Sequence, residues 1–233
     1  MTGHDLTGHE LTGQNLTSRE DFREILRLVR PGSRVLDVGC GEGELLELLT
    51  ARKRVEGRGL EISPEGVSAC LARGLAVVQG DADDDLDYFP ARAFDYAVLS
   101  QTLPQVRQPR HVLAELLRIA ERAIVSLPNF GHWRVRFELL SQGRMPVTSW
   151  LPTPWWGTPN IHLCTVRDFT QLCDDLGLRI EACAALTDGK PARPMDPKRA
   201  VENWRAESAL FLLSRANAAP TLLTGEPKTE LFG

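Results

Sequence analysis

The sequence is poor in cysteine, and the cysteines it has stand in none of the spacings that carry metal or redox chemistry. Five occur among 233 residues, at Cys40, Cys70, Cys164, Cys173 and Cys183. The number is odd and no Cys-x-x-Cys is present, which argues against a disulfide framework and points to a reduced, cytoplasmic setting. No His, Cys and carboxylate cluster has ligand spacing, so no metal is expected. A basic excess is also lacking. Lys and Arg total 27 against 31 Asp and Glu, a net charge of −4, so nucleic acid is not an expected partner. No apolar run approaches the roughly 20 residues that span a bilayer, so no membrane partner is expected either. The N-terminus has neither the basic start nor the apolar core of a secretory signal. What remains is ordinary for a globular chain, 42% hydrophobic and 25% charged, and long enough to bury a core without staples.

The chain opens with three pentads, TGHDL, TGHEL and TGQNL. Three units are too few for a stacked solenoid, so residues 1–16 are expected to be a flexible tail, as are 217–233. One domain is expected over 17–216. Thr17 with Glu20 reads as a capping box, opening a helix that buries Phe22, Ile25, Leu26 and Val29 and ends at Pro31-Gly32. Apolar strands follow at 34–38, 55–62, 75–78, 94–99 and 123–127, separated by helical patterns. Such alternation predicts an α/β protein with a doubly wound, Rossmann-like, mostly parallel sheet. Residues 141–160 carry four prolines and Trp150, Trp155 and Trp156, which predicts a long aromatic loop. Thr165 with Asp168 caps a further helix. Two late strands are expected at 178–186 and 209–213, with a polar insertion at 187–207 between them.

The strongest chemical signal is Val35-Leu36-Asp37-Val38-Gly39-Cys40-Gly41-Glu42-Gly43, an apolar strand running into a glycine turn and then a helix. Glycines let a ligand touch the backbone, and the helix start offers unpaired N–H groups. The spacing is GxGxG rather than the dinucleotide GxGxxG. Asp37, inside the strand, would repel a pyrophosphate and suits a ligand with a cationic amino group. Glu61 ends the second strand, where an acid accepts from ribose hydroxyls. Asp81 ends the third. Turn and capping roles are the alternative for all three acids.

These residues resemble a family. VLDVGCGEG, GLEIS, QGDAD and FDYAVLSQTL are similar to the S-adenosylmethionine-binding core of class I methyltransferases. The blocks LPNFGHWRVR, GRMP and TPNIHLCT narrow the resemblance to the MetW family of methionine-biosynthesis proteins, over about Ser18 to Leu186. The resemblance implies a seven-stranded sheet whose last strand runs antiparallel, and S-adenosylmethionine or S-adenosylhomocysteine as cofactor. It implies that Gly39 and Gly41 approach the methionine part, that Glu61 holds the ribose, and that Asp81 and Ala82 lie near the adenine. Cys40, Ile62 and Ser100 complete the expected cofactor-binding set with Asp37. It also implies a partner, a homoserine O-acetyltransferase or O-succinyltransferase, which the chain would activate or tune.

The alternative is a methyltransferase for a small acidic or hydroxyl-bearing acceptor. His132 is then the candidate base and Arg134 the residue on the acceptor side, with Arg136 beside it as a carboxylate clamp. His162 is a second candidate, and His111 reads as a cap or surface group. No Asn-Pro-Pro-aromatic tetrapeptide follows strand four, where Ser100-Gln101-Thr102-Leu103 stands; this argues against base or amide N-methylation. The tryptophans read either as a lid or as an anchor for another protein.

Overall fold

Each apolar strand of the first half divides its side chains between two cores, and this alternation builds the molecule. The structure is a computed structural model describing residues 19–216. The pentads, Thr17 and 217–233 lie outside the described residues. Helix α1 (Glu20–Leu28) precedes strand β1 (Arg34–Val38), α2 (Glu44–Lys53), β2 (Glu56–Glu61), α3 (Pro64–Ala72) and β3 (Val77–Gln79). Then come β4 (Phe94–Ser100), α4 (Pro109–Ile119), β5 (Ala120–Pro128), α5 (Trp133–Gln142) and α6 (Val166–Asp175). Strands β6 (Leu178–Thr187) and β7 (Lys190–Pro194), helix α7 (Ala200–Arg205) and β8 (Ser208–Arg215) close the chain.

The sheet runs β3-β2-β1-β4-β5-β8-β6-β7. Strands β1 to β5 are parallel, while β8 is antiparallel to both of its neighbours and β7 is antiparallel to β6. Leu36, Ala97, Leu99, Val125 and Leu213 pack on one face with α4 and α6. Val35, Tyr96, Val98, Ile124 and Leu212 pack on the other with α1 and α2. Strand order reverses between β1 and β4, so a crevice opens at the carboxyl ends of these strands.

Three expectations are corrected. The sheet has eight strands, not seven, because the polar insertion is itself structured as β7 and α7. Strand β7 reads Lys-Pro-Ala-Arg-Pro and lies at the sheet edge, where prolines are tolerated and apolar alternation is not required. Helix α5 was not expected, because only Val135 of its ten residues is buried and its periodicity points away from the core. Helix α1 starts at Glu20 with Arg19 at its cap, later than a Thr17 cap predicts. The Thr165–Asp168 capping box is formed.

The LPNFG block is a knot. Asn129, 1% exposed, donates to the carbonyls of Asn203 and Ala206 at 2.9 and 2.7 Å. Its oxygen accepts from the Gly131 and Val166 N–H groups at 2.9 and 3.1 Å. One side chain thus ties the end of β5, the start of α6 and the insertion together. Asn129→Ala leaves four backbone groups without these bonds and is expected to cost about 3 kcal/mol, read as a lower midpoint in urea unfolding.

Candidate functional site

The turn after β1 is set by backbone geometry that glycine alone adopts easily. Gly39, Gly41 and Gly43 have φ of 71°, 56° and 83°, in the left-handed region. At Gly39 a Cβ would also lie 2.6 Å from Thr102 Cγ2. The Gly39 and Cys40 N–H groups both donate to the Leu60 carbonyl, at 2.8 and 3.3 Å. Glu61, 8% exposed, accepts from Gly41 N–H at 2.8 Å and Ser63 N–H at 2.9 Å through its two carboxylate oxygens.

Asp37 is buried, and its Oδ1 has no hydrogen-bond partner. Burial pushes its carboxyl up from 3.8 to about 7; Arg19 acts against that rise, and Glu61 and Asp21 add to it. An orphaned buried oxygen is costly unless a donor reaches it. It lies in a cleft of about 250 Å³ lined by Arg19, Phe22, Asp37, Gly39, Cys40, Gly41 and Ser100, among others. A second cavity of about 300 Å³, also bounded by Gly39, is lined by Ile62, Asp81, Ala82, Thr102, Val106 and Arg107. The edge of the sheet therefore brings eight of the nine expected cofactor residues to two cavities that meet at Gly39. Glu61 lines neither cavity and instead braces the turn. Chemically, the first cavity suits a small cationic group and the second a flat, partly apolar one.

Asp81 is engaged. It accepts from Asp83 N–H at 2.9 Å and pairs with Arg107 at 3.0 Å. Arg107 also reaches Asp84 at 2.7 Å, and its backbone N–H, with that of Gln108, donates to buried Asp83 at 2.8 Å each. Cys40 Sγ lies 3.8 Å from Cys70 Sγ, and burial pushes both thiols up. Both sit under the turn as inert packing groups.

Three residues at the cleft escaped sequence reasoning. Arg19 grips fully buried Asp21 through two bonds, at 3.1 and 2.7 Å. Asp21 also accepts from Ser100 Oγ at 2.7 Å, and the guanidinium stacks 3.9 Å over the Phe22 ring. Gln101 has φ of 58°, an uncommon conformation for a non-glycine residue, and is held by its N–H on the Ser126 carbonyl at 3.0 Å. The one sequence signal was acids on the buried face of α1, at Glu20, Asp21 and Glu24. Arg19, Asp21 and Gln101 also line a third cavity of about 440 Å³, with Trp150, Thr158 and Asn160 from the aromatic loop.

His132 and Arg134 lie elsewhere. They line a cavity of about 190 Å³ with Asn129, Trp150 and Glu207, which borders the cavity of the aromatic loop at Trp150 rather than the Asp37 cleft. Burial pushes the His132 imidazole down and so favours its neutral form. Arg134 is exposed, 4.0 Å from Glu207, and Arg136 donates to the Gly131 carbonyl at 2.6 Å. The histidine and the arginine pair thus line neither the Asp37 cleft nor the cavity of about 440 Å³. His162 is exposed, its backbone N–H donating to the Pro104 carbonyl at 2.9 Å, and His111 lies 3.9 Å from Asp87. The tryptophans divide: Trp150 packs against the core, while Trp155 and Trp156 are exposed, edge to face at 5.8 Å. Among the described residues no three His, Cys, Asp or Glu side chains gather as a metal site, and no helix is long and apolar enough to cross a membrane.

Sheet order, the glycine turn after β1 and the antiparallel β8 define a Rossmann-like fold of the class I methyltransferase type. Solved structures share it. An S-adenosylmethionine-dependent methyltransferase of Thermotoga maritima superposes with a TM-score of 0.64 at 16% identity, over 86% of this chain and 90% of that one. Another, from Mesorhizobium loti, gives 0.63 at 18% identity, over 86% of this chain and 100% of that one.

Residues 19–213 match the family model described as methionine biosynthesis protein MetW. The bifunctional methionine biosynthesis protein MetXA/MetW of Rhodopirellula baltica is 32% identical over 209 residues, 84% of this chain and 33% of that protein. The chain belongs to the MetW family. It spans between about a third and two-fifths of the length of the curated relatives it matches.

Two substitutions probe the cleft. A carboxyl raised from 3.8 to about 7 contributes its stability below pH 4 and loses it as the pH climbs through 7. Asp37→Asn is therefore expected to match wild type at pH 4 and to exceed it by pH 8, by on the order of 4 kcal/mol, in unfolding curves taken without ligand. Gly39→Ala, strained by both φ and Thr102, is expected to unfold at a lower temperature, read by differential scanning calorimetry.

Proposed function

We propose that this chain is an S-adenosylmethionine-binding partner of a homoserine O-acyltransferase, either the O-acetyl or the O-succinyl enzyme, and that it raises or tunes that enzyme's activity in the cytoplasm. The observation that carries the reading is the MetXA/MetW relative, in which a segment 32% identical to this chain is covalently continuous with a MetXA portion. Fusion holds two functions at high effective concentration, which has value when they act together.

The cleft supports the cofactor part. Asp37 Oδ1, buried without a partner, would accept from the ammonium of the methionine moiety. Gly39 and Gly41 would admit it against the backbone, with Cys40 beneath the turn. Ile62, Asp81 and Ala82 would border the adenine, and Ser100 would close the methionine end. Glu61 would meet the ribose through lone pairs that Gly41 and Ser63 leave free. The bound group supplies an activated methyl and, as the later product of the same pathway, a measure of end-product level. Arg19 lines both this cleft and the cavity of the aromatic loop, so it would feel both occupants. Any coupling between cofactor and partner is reciprocal.

A second reading, methyl transfer to a small acidic or hydroxyl-bearing acceptor, draws on one observation. The cavity of about 440 Å³ shares Arg19 with the Asp37 cleft and has room for such an acceptor. Neither His132 nor Arg134 lines it.

The test mixes the chain with the homoserine O-acyltransferase of the same organism and follows acyl transfer to homoserine while S-adenosylmethionine is titrated. Turnover is expected to rise with the chain present and to change with the titration. Unchanged turnover and no complex would overturn the partner reading. Calorimetric titration is expected to show S-adenosylmethionine binding that Asp37→Ala weakens at least tenfold.

A further inference from the structure

Helix α5 carries its apolar stripe on the outside. Val135 is its one buried residue. Trp133, Phe137 and Leu140 recur at i, i+4 and i+7, so they share a face, about half a turn around the helix from Val135. Phe137 is 64% exposed and Leu140 86%. Helical amphipathicity ordinarily turns such a stripe inward. A contiguous exposed apolar stripe on a folded chain marks a surface that another body covers.

The rim of the stripe is basic. Arg134 sits with its guanidinium 5.3 Å from the Trp133 ring, and Arg136 sits 5.4 Å from the ring of Trp204 on α7. Arg144 follows just beyond the Gly143 cap. Between 133 and 149 the one acid is Glu138, in a chain whose net charge is −4. Trp and Arg are the residue types that dominate interface energetics, and a guanidinium beside an aromatic ring is attracted to its face. The Asn129 knot anchors the chain just before the helix.

We infer that α5 is the face that docks on the homoserine O-acyltransferase, entering an apolar groove with an acidic rim through Trp133, Phe137 and Leu140. The inference rests on the partner reading above. Three observations select this occupant. The chain corresponds to a third of a relative whose name joins MetXA to MetW, so a family member is permanently beside a MetXA portion. The stripe is narrow and helical, which fits a helix-in-groove contact. Its basic rim, in an acidic chain, calls for a partner surface bearing carboxylates rather than a second copy presenting the same arginines.

The experiment compares the full chain with Phe137→Glu, Leu140→Glu and the double variant, against the homoserine O-acyltransferase of the same organism. Binding is measured by sedimentation and calorimetry, and stimulation of acyl transfer is assayed alongside. The substituted side chains are exposed, so melting temperature and S-adenosylmethionine binding should stay at wild-type values. Tyr88→Glu, at a similarly exposed aromatic, serves as control. Each α5 substitution is expected to weaken the complex at least tenfold and the pair at least a hundredfold, with stimulation lost in parallel and the control unaffected. If wild type binds and the double variant binds equally well, α5 is not the docking face, while the partner reading stands. If wild type itself does not bind, the reading beneath the inference fails. If wild type is a dimer that the double variant dissociates, and no acyltransferase is captured, the stripe is a self-interface and the inference is overturned.

Discussion

The carboxylate of Glu61 is the interaction on which the cleft depends. One oxygen holds the N–H of Gly41 in the turn after β1, and the other holds the N–H of Ser63 at the cap of α3. Both bonds are to backbone, so they link the turn directly to the start of α3. The brace holds Gly41, two residues beyond Gly39, where the two cavities meet and where the Leu60 carbonyl holds the backbone. An acid at the end of a second strand is usually read as a ligand group. Here it is first an architectural one, with acceptor capacity left over.

Around that brace, charge is arranged unevenly. Asp21 and Asp83 are buried and answered by Arg19 and Arg107, while Asp37 keeps one oxygen unanswered. Satisfied acids fix loops in place; the unsatisfied one holds a raised carboxyl ready for a cation. The contrast separates residues that build the edge of the sheet from the residue that waits for a ligand.

Much of this was legible in the sequence. The five parallel strands stood out as short apolar runs, and the glycine turn as a strand-to-helix break. Asp37 could be singled out because an acid inside an apolar strand, just before a glycine turn, suits a cationic ligand group and not a pyrophosphate. What stayed hidden depended on distance or on inverted periodicity. The Arg19–Asp21–Ser100 contact joins residues 79 positions apart, and the Asn129–Asn203 contact joins residues 74 apart. Helix α5 was missed because its apolar residues face outward, and β7 because an edge strand needs no apolar alternation. His132 and Arg134 read as acceptor-side groups from their position after β5. The chain instead turns into α5 there and carries them to another cavity.

Strand β7 has a further consequence, for how this molecule can join others at all. Its Lys-Pro-Ala-Arg-Pro sequence places two residues without an N–H, and two cations, on one margin of the sheet, and the opposite margin, β3, is three residues long. Among the described residues, neither margin offers a long row of free backbone groups for a foreign strand to extend. Association by shared sheet is thereby disfavoured. Recognition of this chain then falls to the shape and charge of its side chains, which leaves specificity to residues that can change without disturbing the fold.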